Sequence, residues 1–189
     1  MTRRASPVTR PISLRTRSPV DWPSGFEISI ALTVKEGQPA GGRGGRGGFG
    51  GAFGGRGGLK RPYVAVWVEN ATGKLVRVLA FWADKPRYYS ELSSFFSAAG
   101  RDQNVLYSMA RATRPPGSYQ LLWDGMDDQR KPVPVGSYRI VVETNQEHGT
   151  YGKQSGSIEC GDVPSMLSLP ATANFDSVVV QYGPKQNRL

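Results

Sequence analysis

The chain has 189 residues, a length that fits one domain or one domain with a tail. Its hydrophobic content of 38% lies below the usual apolar share of about 45–50%, so part of the chain is expected not to fold. Residues 1–62 carry 11 basic and three acidic residues, 11 − 3 = +8, whereas residues 63–189 carry 13 basic and 12 acidic residues, 13 − 12 = +1. The basic charge therefore belongs to the N-terminal third and does not indicate a basic face on the folded part.

The scarcity of cysteine and histidine excludes several kinds of site. Cys160 is the only cysteine, which excludes an intramolecular disulfide and a cysteine zinc cluster. We expect Cys160 to be a small buried hydrophobic residue. His148 is the only histidine, which excludes a His-rich metal site. No stretch approaches the roughly 18 apolar residues of a transmembrane helix. Arg3 and Arg4 could begin a signal peptide, but the apolar run of about 7–15 residues that should follow is missing. No export signal is visible in the sequence. The chain could therefore be a fragment of a longer protein, or its first residue could be assigned at the wrong start codon.

The N-terminal part is predicted to contain one strand between two irregular segments. Residues 1–25 are rich in Arg, Ser, Thr and Pro and have few large apolar groups, so we expect a disordered basic arm. Residues 26–34 alternate apolar and polar side chains, and this period of two predicts a half-buried strand. Residues 41–58 contain twelve glycines, a density that predicts a flexible loop between two strands.

A hairpin and a helix are predicted next. Residues 63–69 and 74–82 read as central strands, apolar on both faces in places and joined by turn residues. Residues 86–98 change to helical spacing and predict one short amphipathic helix that ends at Gly100. Residues 101–116 are ambiguous.

The remaining pattern completes an all-β fold. Four further strands are predicted, over residues 118–123, 137–144, 154–160 and 175–182. The connection 124–136 reads as a long hairpin loop. Six or seven short strands with one helical insert predict an immunoglobulin-like antiparallel β-sandwich. We assign this domain to residues 26–160 and treat residues 161–189 as a C-terminal extension with a final strand.

A Trp-Asp-Gly turn follows the strand at 118–123. Trp123 can cover the edge of the sandwich, Asp124 can accept backbone N–H bonds, and Gly125 can supply a positive φ. Tyr138 then enters the next strand after Gly136. These properties predict a fold-stabilising role for the motif.

The same residues carry a resemblance to known families. The Trp-Asp-Gly, Pro, Gly-x-Tyr order of residues 119–138 resembles the immunoglobulin-like domain of flagellar hook-capping proteins. A closer resemblance, over residues 26–160, is to the predicted periplasmic proteins of domain-of-unknown-function family 2271. Its ordered blocks are Arg61–Trp67, Leu79–Lys85, Ala112–Arg114, Glu143 and Glu147–Tyr151.

The resemblance to family 2271 implies an exported, all-β domain without an established activity. In one branch a similar domain follows a flavin transferase that attaches FMN to proteins, and the C-terminal tail is similar to that branch. The resemblance thus implies a periplasmic or extracytoplasmic location and a protein partner, either a flavin transferase or a membrane redox protein. No residue looks suited to hold FAD, and we expect no cofactor.

Several polar residues are candidates for binding. The predicted set comprises Arg114, Asp124, Asp127, Asp128, Glu143, Glu147 and His148. His148 with Glu143 or Glu147 could bind a metal or act in acid–base chemistry, and the protein would then be a small metal-dependent enzyme. The alternative is that His148 is a loop histidine whose ring bonds to a backbone carbonyl. The three aspartates suggest a weak calcium site or, as the alternative, a solvated acidic turn, because the EF-hand spacing is missing.

The glycine-rich segment suggests a second function. Its arginines and aromatic residues resemble RGG segments that bind RNA: Arg43, Arg46, Phe49, Phe53 and Arg56. The alternative is a neutral bridge between strands, with Arg for solubility.

The favoured hypothesis for the whole chain is a non-catalytic extracytoplasmic binding or accessory module. It docks a partner through residues 86–116 and the loops around Asp124 and His148. The alternative is an RNA- or DNA-associated protein.

Overall fold

The structure is a computed structural model that describes residues 20–36, 61–147 and 149–186. Within these ranges, eight strands form two antiparallel four-stranded sheets, which confirms the predicted all-β sandwich. The strands are β1 Phe26–Val34, β2 Tyr63–Glu69, β3 Leu75–Trp82, β4 Gly117–Trp123, β5 Gly136–Asn145, β6 Tyr151–Cys160, β7 Ser165–Leu169 and β8 Val178–Pro184. Sheet one has the order β4-β1-β8-β7, and sheet two has the order β3-β2-β5-β6.

The apolar residues of β2 belong to two separate cores. Val64, Val66 and Val68 face sheet one and form part of the inner core between the sheets. Ala65 and Trp67 face the opposite way and form part of an outer core. Because side chains alternate along a strand, a strand buried on both faces is apolar throughout, as the sequence of β2 is.

The outer core is closed by a helical layer, defined as residues 86–109. It consists of a 3₁₀ turn, Pro86–Glu91, and two short helices, α1 (Ser93–Ala98) and α2 (Gln103–Met109). The predicted single helix over 86–98 is therefore two elements, because Leu92 between them has φ −84° and ψ 67°, outside the helical region.

The second helix lies where the sequence pattern was ambiguous. Its N-cap is Asp102, whose carboxylate accepts from the backbone N–H groups of Asn104 at 2.8 Å and Val105 at 3.4 Å. None of the helices in the described ranges is long and apolar enough to span a membrane.

The predicted hairpin loop over residues 124–136 is wrong. β4 pairs with β1 in sheet one, and β5 pairs with β2 and β6 in sheet two. The segment therefore crosses from one sheet to the other, and thirteen residues easily span the roughly 10 Å between packed sheets.

The folded domain also extends beyond the predicted 26–160 at both ends. At the C-terminal end, the unpredicted β7 pairs with β8, and β8 pairs with β1 inside sheet one. At the N-terminal end, Trp22 lies in the segment assigned to the arm, yet its ring is 4.9 Å from that of Trp123 and 5.2 Å from that of Tyr182. Burial of this large aromatic area orders residues 20–25.

Candidate binding surface

The Trp-Asp-Gly turn serves the fold. Trp123 is buried, and its indole Nε1 donates to the carbonyl of Met126 at 2.7 Å. The Asp124 carboxylate accepts from the Met126 backbone N–H at 3.2 Å. Gly125 has φ +76°, and a Cβ there would come within 2.3 Å of the Trp22 ring. These contacts agree with the fold-stabilising role predicted for the motif.

The neighbouring aspartates hold backbone groups in place. Asp127 Oδ1 accepts from the N–H groups of Gln129 and Lys131, both at 2.8 Å. Asp128 Oδ1 accepts from the Val78 N–H at 3.2 Å and lies 3.7 Å from Arg77 Nη1. Burial raises the pKa of Asp128. Within the described residues, no group of three or more His, Cys, Asp and Glu side chains is arranged to hold a metal ion.

Glu143, on β5, anchors the helical layer to sheet two. Its side chain is buried and accepts from the backbone N–H of Ser94 at 3.0 Å and of Phe95 at 2.7 Å. The Tyr151 hydroxyl donates to it at 2.8 Å. Because α1 has no side-chain cap of its own, this carboxylate satisfies N–H groups of its first turn.

Glu147 anchors the other end of the same layer. Its carboxylate lies 3.1 Å from Lys85 Nζ and 3.6 Å from Arg87 Nη2, and it accepts from the Tyr88 hydroxyl. The hydrogen bond to Glu147 raises the pKa of Tyr88. The Tyr88 ring stacks on Tyr63 with centroids 5.6 Å apart, so the 3₁₀ turn is tied to β2 as well as to the end of β5.

A concave surface, here called the edge cleft, lies between the edge strands β3 and β4. Its volume is about 520 Å³, and its charged side chains are Arg77, Arg111, Arg114 and Asp128. The Arg114 guanidinium lies 5.7 Å from the ring centroid of Trp82 and 6.0 Å from that of Tyr119. A planar cation over aromatic rings is held in place by cation–π attraction and keeps donors free for a ligand.

The edge cleft adjoins the exposed side of the helical layer. Ser108 and Met109 of α2 line the cleft, and Tyr107 and Val105 beside them are 69% and 45% exposed. Arg114 was among the predicted binding residues, whereas Arg77 and Arg111 were not. The signal for the cleft was weak, because it depends on two edge strands that are far apart in the sequence.

The structure does not bring all of the predicted site residues together. Asp124, Asp127 and Asp128 share one turn, and Glu143 and Glu147 hold the helical layer. His148 lies outside the described residues, as do the predicted loop 41–58 with its arginines and the arm up to residue 19. The described carboxylates therefore have positions in the fold that the spacing in the sequence does not reveal.

A comparison with known families gives a match. The family model described as Predicted periplasmic protein (DUF2271) matches residues 55–175. This description names neither a flagellar protein nor a flavin transferase. No curated protein and no solved structure matches the chain.

Proposed function

The chain belongs to domain-of-unknown-function family 2271, a family of predicted periplasmic proteins, and from this premise we propose that it is a non-catalytic module that binds a protein partner outside the cytoplasm. The proposed docking surface consists of the exposed side of the helical layer and the edge cleft.

The observation that carries this proposal is the composition of that surface. Arg114, Trp82 and Tyr119 meet in the edge cleft, and the exposed Tyr107 lies next to it on α2. Arg, Trp and Tyr are the residue types that dominate binding energy at protein interfaces, because each combines large contact area with a polar group.

The engagement of the acidic side chains supports a non-catalytic role. A general acid or base must reach a substrate, but Glu143 and Asp127 are occupied by backbone N–H groups. Glu147 is occupied by Lys85, Arg87 and Tyr88. Cys160 is buried in the inner core, and burial raises the pKa of its thiol to about 12, which disfavours the nucleophilic thiolate.

For the identity of the partner, we propose a flavin transferase or a membrane redox protein. The support is the similarity of the C-terminal tail to the family branch that follows a flavin transferase. A protein of this kind would be recognised through the docking surface and would need no flavin site on the present chain.

Site-specific photo-crosslinking in intact cells tests the proposal. A photoreactive phenylalanine analogue replaces Tyr107 in one variant and Gln181, exposed on the outer face of β8, in the control. We expect a discrete adduct from position 107 and none from position 181. Mass spectrometry of the adduct then tests the partner: a flavin transferase or redox protein supports the finer proposal, and any other protein contradicts it. Equal labelling at both positions, or none at 107, would contradict the docking surface.

Nucleic-acid binding is the second candidate, and the charge of +8 in residues 1–62 favours it. Arginine contacts to phosphates predict binding that weakens steeply with salt. Retention of the full chain on immobilised RNA at low salt, lost on deletion of residues 41–58, would support this candidate. Absence of retention at low salt would eliminate it.

A further inference from the structure

The edge strand β3 is protected against pairing with another chain. The Asp128 N–H donates to the Val76 carbonyl at 3.1 Å, and the Asp128 carboxylate accepts from the Val78 N–H. Near its other end, the Arg111 N–H donates to the Phe81 carbonyl at 2.8 Å. Two register shifts also interrupt the pairing of β3 with β2. Covered and bulged edges of this kind resist the addition of a further strand.

The opposite side of the sandwich is closed by direct contact. There β6 and β7 are the edge strands, and a Cβ at Gly156 of β6 would lie 2.8 Å from Leu167 and 2.9 Å from Leu169 of β7. A further strand has no room between these two edges at that point.

No such protection of the edge strand β4 is found among the residues that the structure describes. It pairs with β1 without a register shift, from Gly117 opposite Val34 to Trp123 opposite Ile28. Within the described ranges, its only backbone hydrogen-bonded neighbour is β1. The seven residues, GSYQLLW, include no Pro and no charged side chain, the usual devices that block edge pairing.

We propose that an extended, acidic segment of a partner protein adds to β4 as a fifth strand of sheet one and lies along the edge cleft. This inference rests on the proposed function and names the chemistry of the partner. The backbone groups of β4 that point away from β1 would supply the hydrogen bonds, as in other cases of strand addition. Side chains of the added strand that point into the cleft would meet Arg114, with Tyr119 and Leu121 beneath them.

The charge of the cleft selects an acidic occupant. Its lining has three arginines and one aspartate, 3 − 1 = +2, and that aspartate already pairs with Arg77. Arg114 has no ion pair among the described residues and faces aromatic rings. A second copy pairing through β4 would bring two arginine-lined clefts together, and such like-charge contacts are unfavourable.

A peptide titration tests the charge selection on the full chain. The probe is a fluorescein-labelled peptide of seven residues, the length of β4, that alternates Val and Glu; its matched control alternates Val and Lys. We expect the Val/Glu peptide to bind at least about tenfold more tightly in fluorescence anisotropy. Arg114→Glu should weaken that binding by about tenfold or more, since it reverses a positive charge in the cleft. The control Arg139→Glu makes the same charge change on β5, where Arg139 contacts Ser155, and should change the affinity by less than about twofold.

Amide hydrogen exchange tests the mode of binding. With saturating Val/Glu peptide, alternate amides of β4 should gain protection, because a strand bonds to its neighbour through every second residue. The amides of β7, the opposite edge of the same sheet, should not gain protection. Equal binding of both peptides would overturn the proposal. Binding without protection of β4 would also overturn it, because the cleft would then bind anions in general without strand addition. A dimer in sedimentation that protects β4 without peptide would assign the edge to a second copy and also overturn it. If the peptide binds but position 107 gives no crosslink, the helical part of the docking surface is contradicted. This inference would not be contradicted by that result.

Discussion

The inner and the outer core are built from the same sheet but are held together differently. The inner core lies between two sheets, so hydrogen-bonded strands fix it from both sides. The outer core has sheet two on one side and short helical elements on the other. Neither the 3₁₀ turn nor α1 has a side-chain cap of its own.

The difference explains where the buried carboxylates lie. Glu143 and Glu147 stand at the junction of sheet two with the helical layer and supply acceptors that this layer lacks. Short helices are marginal without tertiary contacts, so the layer depends on these anchors and on the apolar side chains beneath it. The surface proposed for docking thus rests on the outer core.

Truncation of Phe95 should give the largest effect, because it removes the centre of the outer core. Phe95 is fully buried, with ring centroids 5.4 Å from Trp67 and 4.9 Å from Phe81. Phe95→Ala should lower the free energy of unfolding by about 3–5 kcal/mol, measured by urea denaturation. The half-buried neighbour Phe96 provides the matched control, for which a clearly smaller loss is expected. Equal losses in the two variants would contradict the assignment of Phe95 to the core.

Removal of the Glu143 side chain should have the next largest effect. Glu143→Ala leaves the N–H groups of Ser94 and Phe95 without their acceptor, at a cost of about 2–4 kcal/mol in unfolding free energy. Glu159→Ala, an exposed carboxylate on β6, should change stability by less than about 0.5 kcal/mol. Hydrogen exchange should show faster exchange in α1 than in β2 for Glu143→Ala; uniform acceleration would argue against local anchoring.

The rim of the inner core can be probed at Gly125. Gly125→Ala should destabilise by about 1–3 kcal/mol, because the residue has φ +76° and its Cβ would overlap the Trp22 ring. Gly73→Ala is the control, since Gly73 has φ +79° and open space around it. The difference between the two, measured by thermal unfolding, isolates the contact with Trp22. If both substitutions cost the same, Trp22 would not be packed on this turn.

The effect that is smallest near neutral pH concerns Cys160 in the inner core, because it appears only at alkaline pH. Burial raises the pKa of Cys160 from 9.0 to about 12, so the folded state keeps a proton that the unfolded state loses above pH 9. Stability should therefore fall as the pH rises from about 9 towards 12, by at most about 1.4 kcal/mol per pH unit from this group. Cys160→Ala should show a shallower decline in urea midpoints between these values. An unchanged slope would show that the thiol does not contribute.

The alternation of side chains predicted the strands because each face of a strand reports its own burial. The same alternation cannot predict which strands pair, since pairing is a long-range choice. This is why β4 and β5 were expected in one hairpin, although they lie in different sheets. The short β7 has too few residues for a clear alternation of apolar and polar side chains. Trp22 was assigned to the arm because the residues before it in the sequence are mostly polar.

The candidate site was less predictable than the fold. Glu143 and Glu147 were predicted as metal-binding or acid–base residues, but their contacts are with N–H and cationic groups far away in the sequence: Ser94 lies 49 residues from Glu143, and Lys85 lies 62 residues from Glu147. Spacing therefore suggested metal or acid–base chemistry where the fold places structural anchors. The edge cleft could not be foreseen, since Trp82 and Tyr119 meet only after both sheets have formed.

The most direct test of the binding role combines the two parts of the docking surface in one crosslinking measurement. The photoreactive residue at position 107 is introduced into the wild-type chain and into Arg114→Glu. We predict a discrete adduct in the first and a strong loss of that adduct in the second, with the fold intact by circular dichroism. An adduct of equal yield in both chains, or none in either, would contradict a partner that spans the helical layer and the edge cleft.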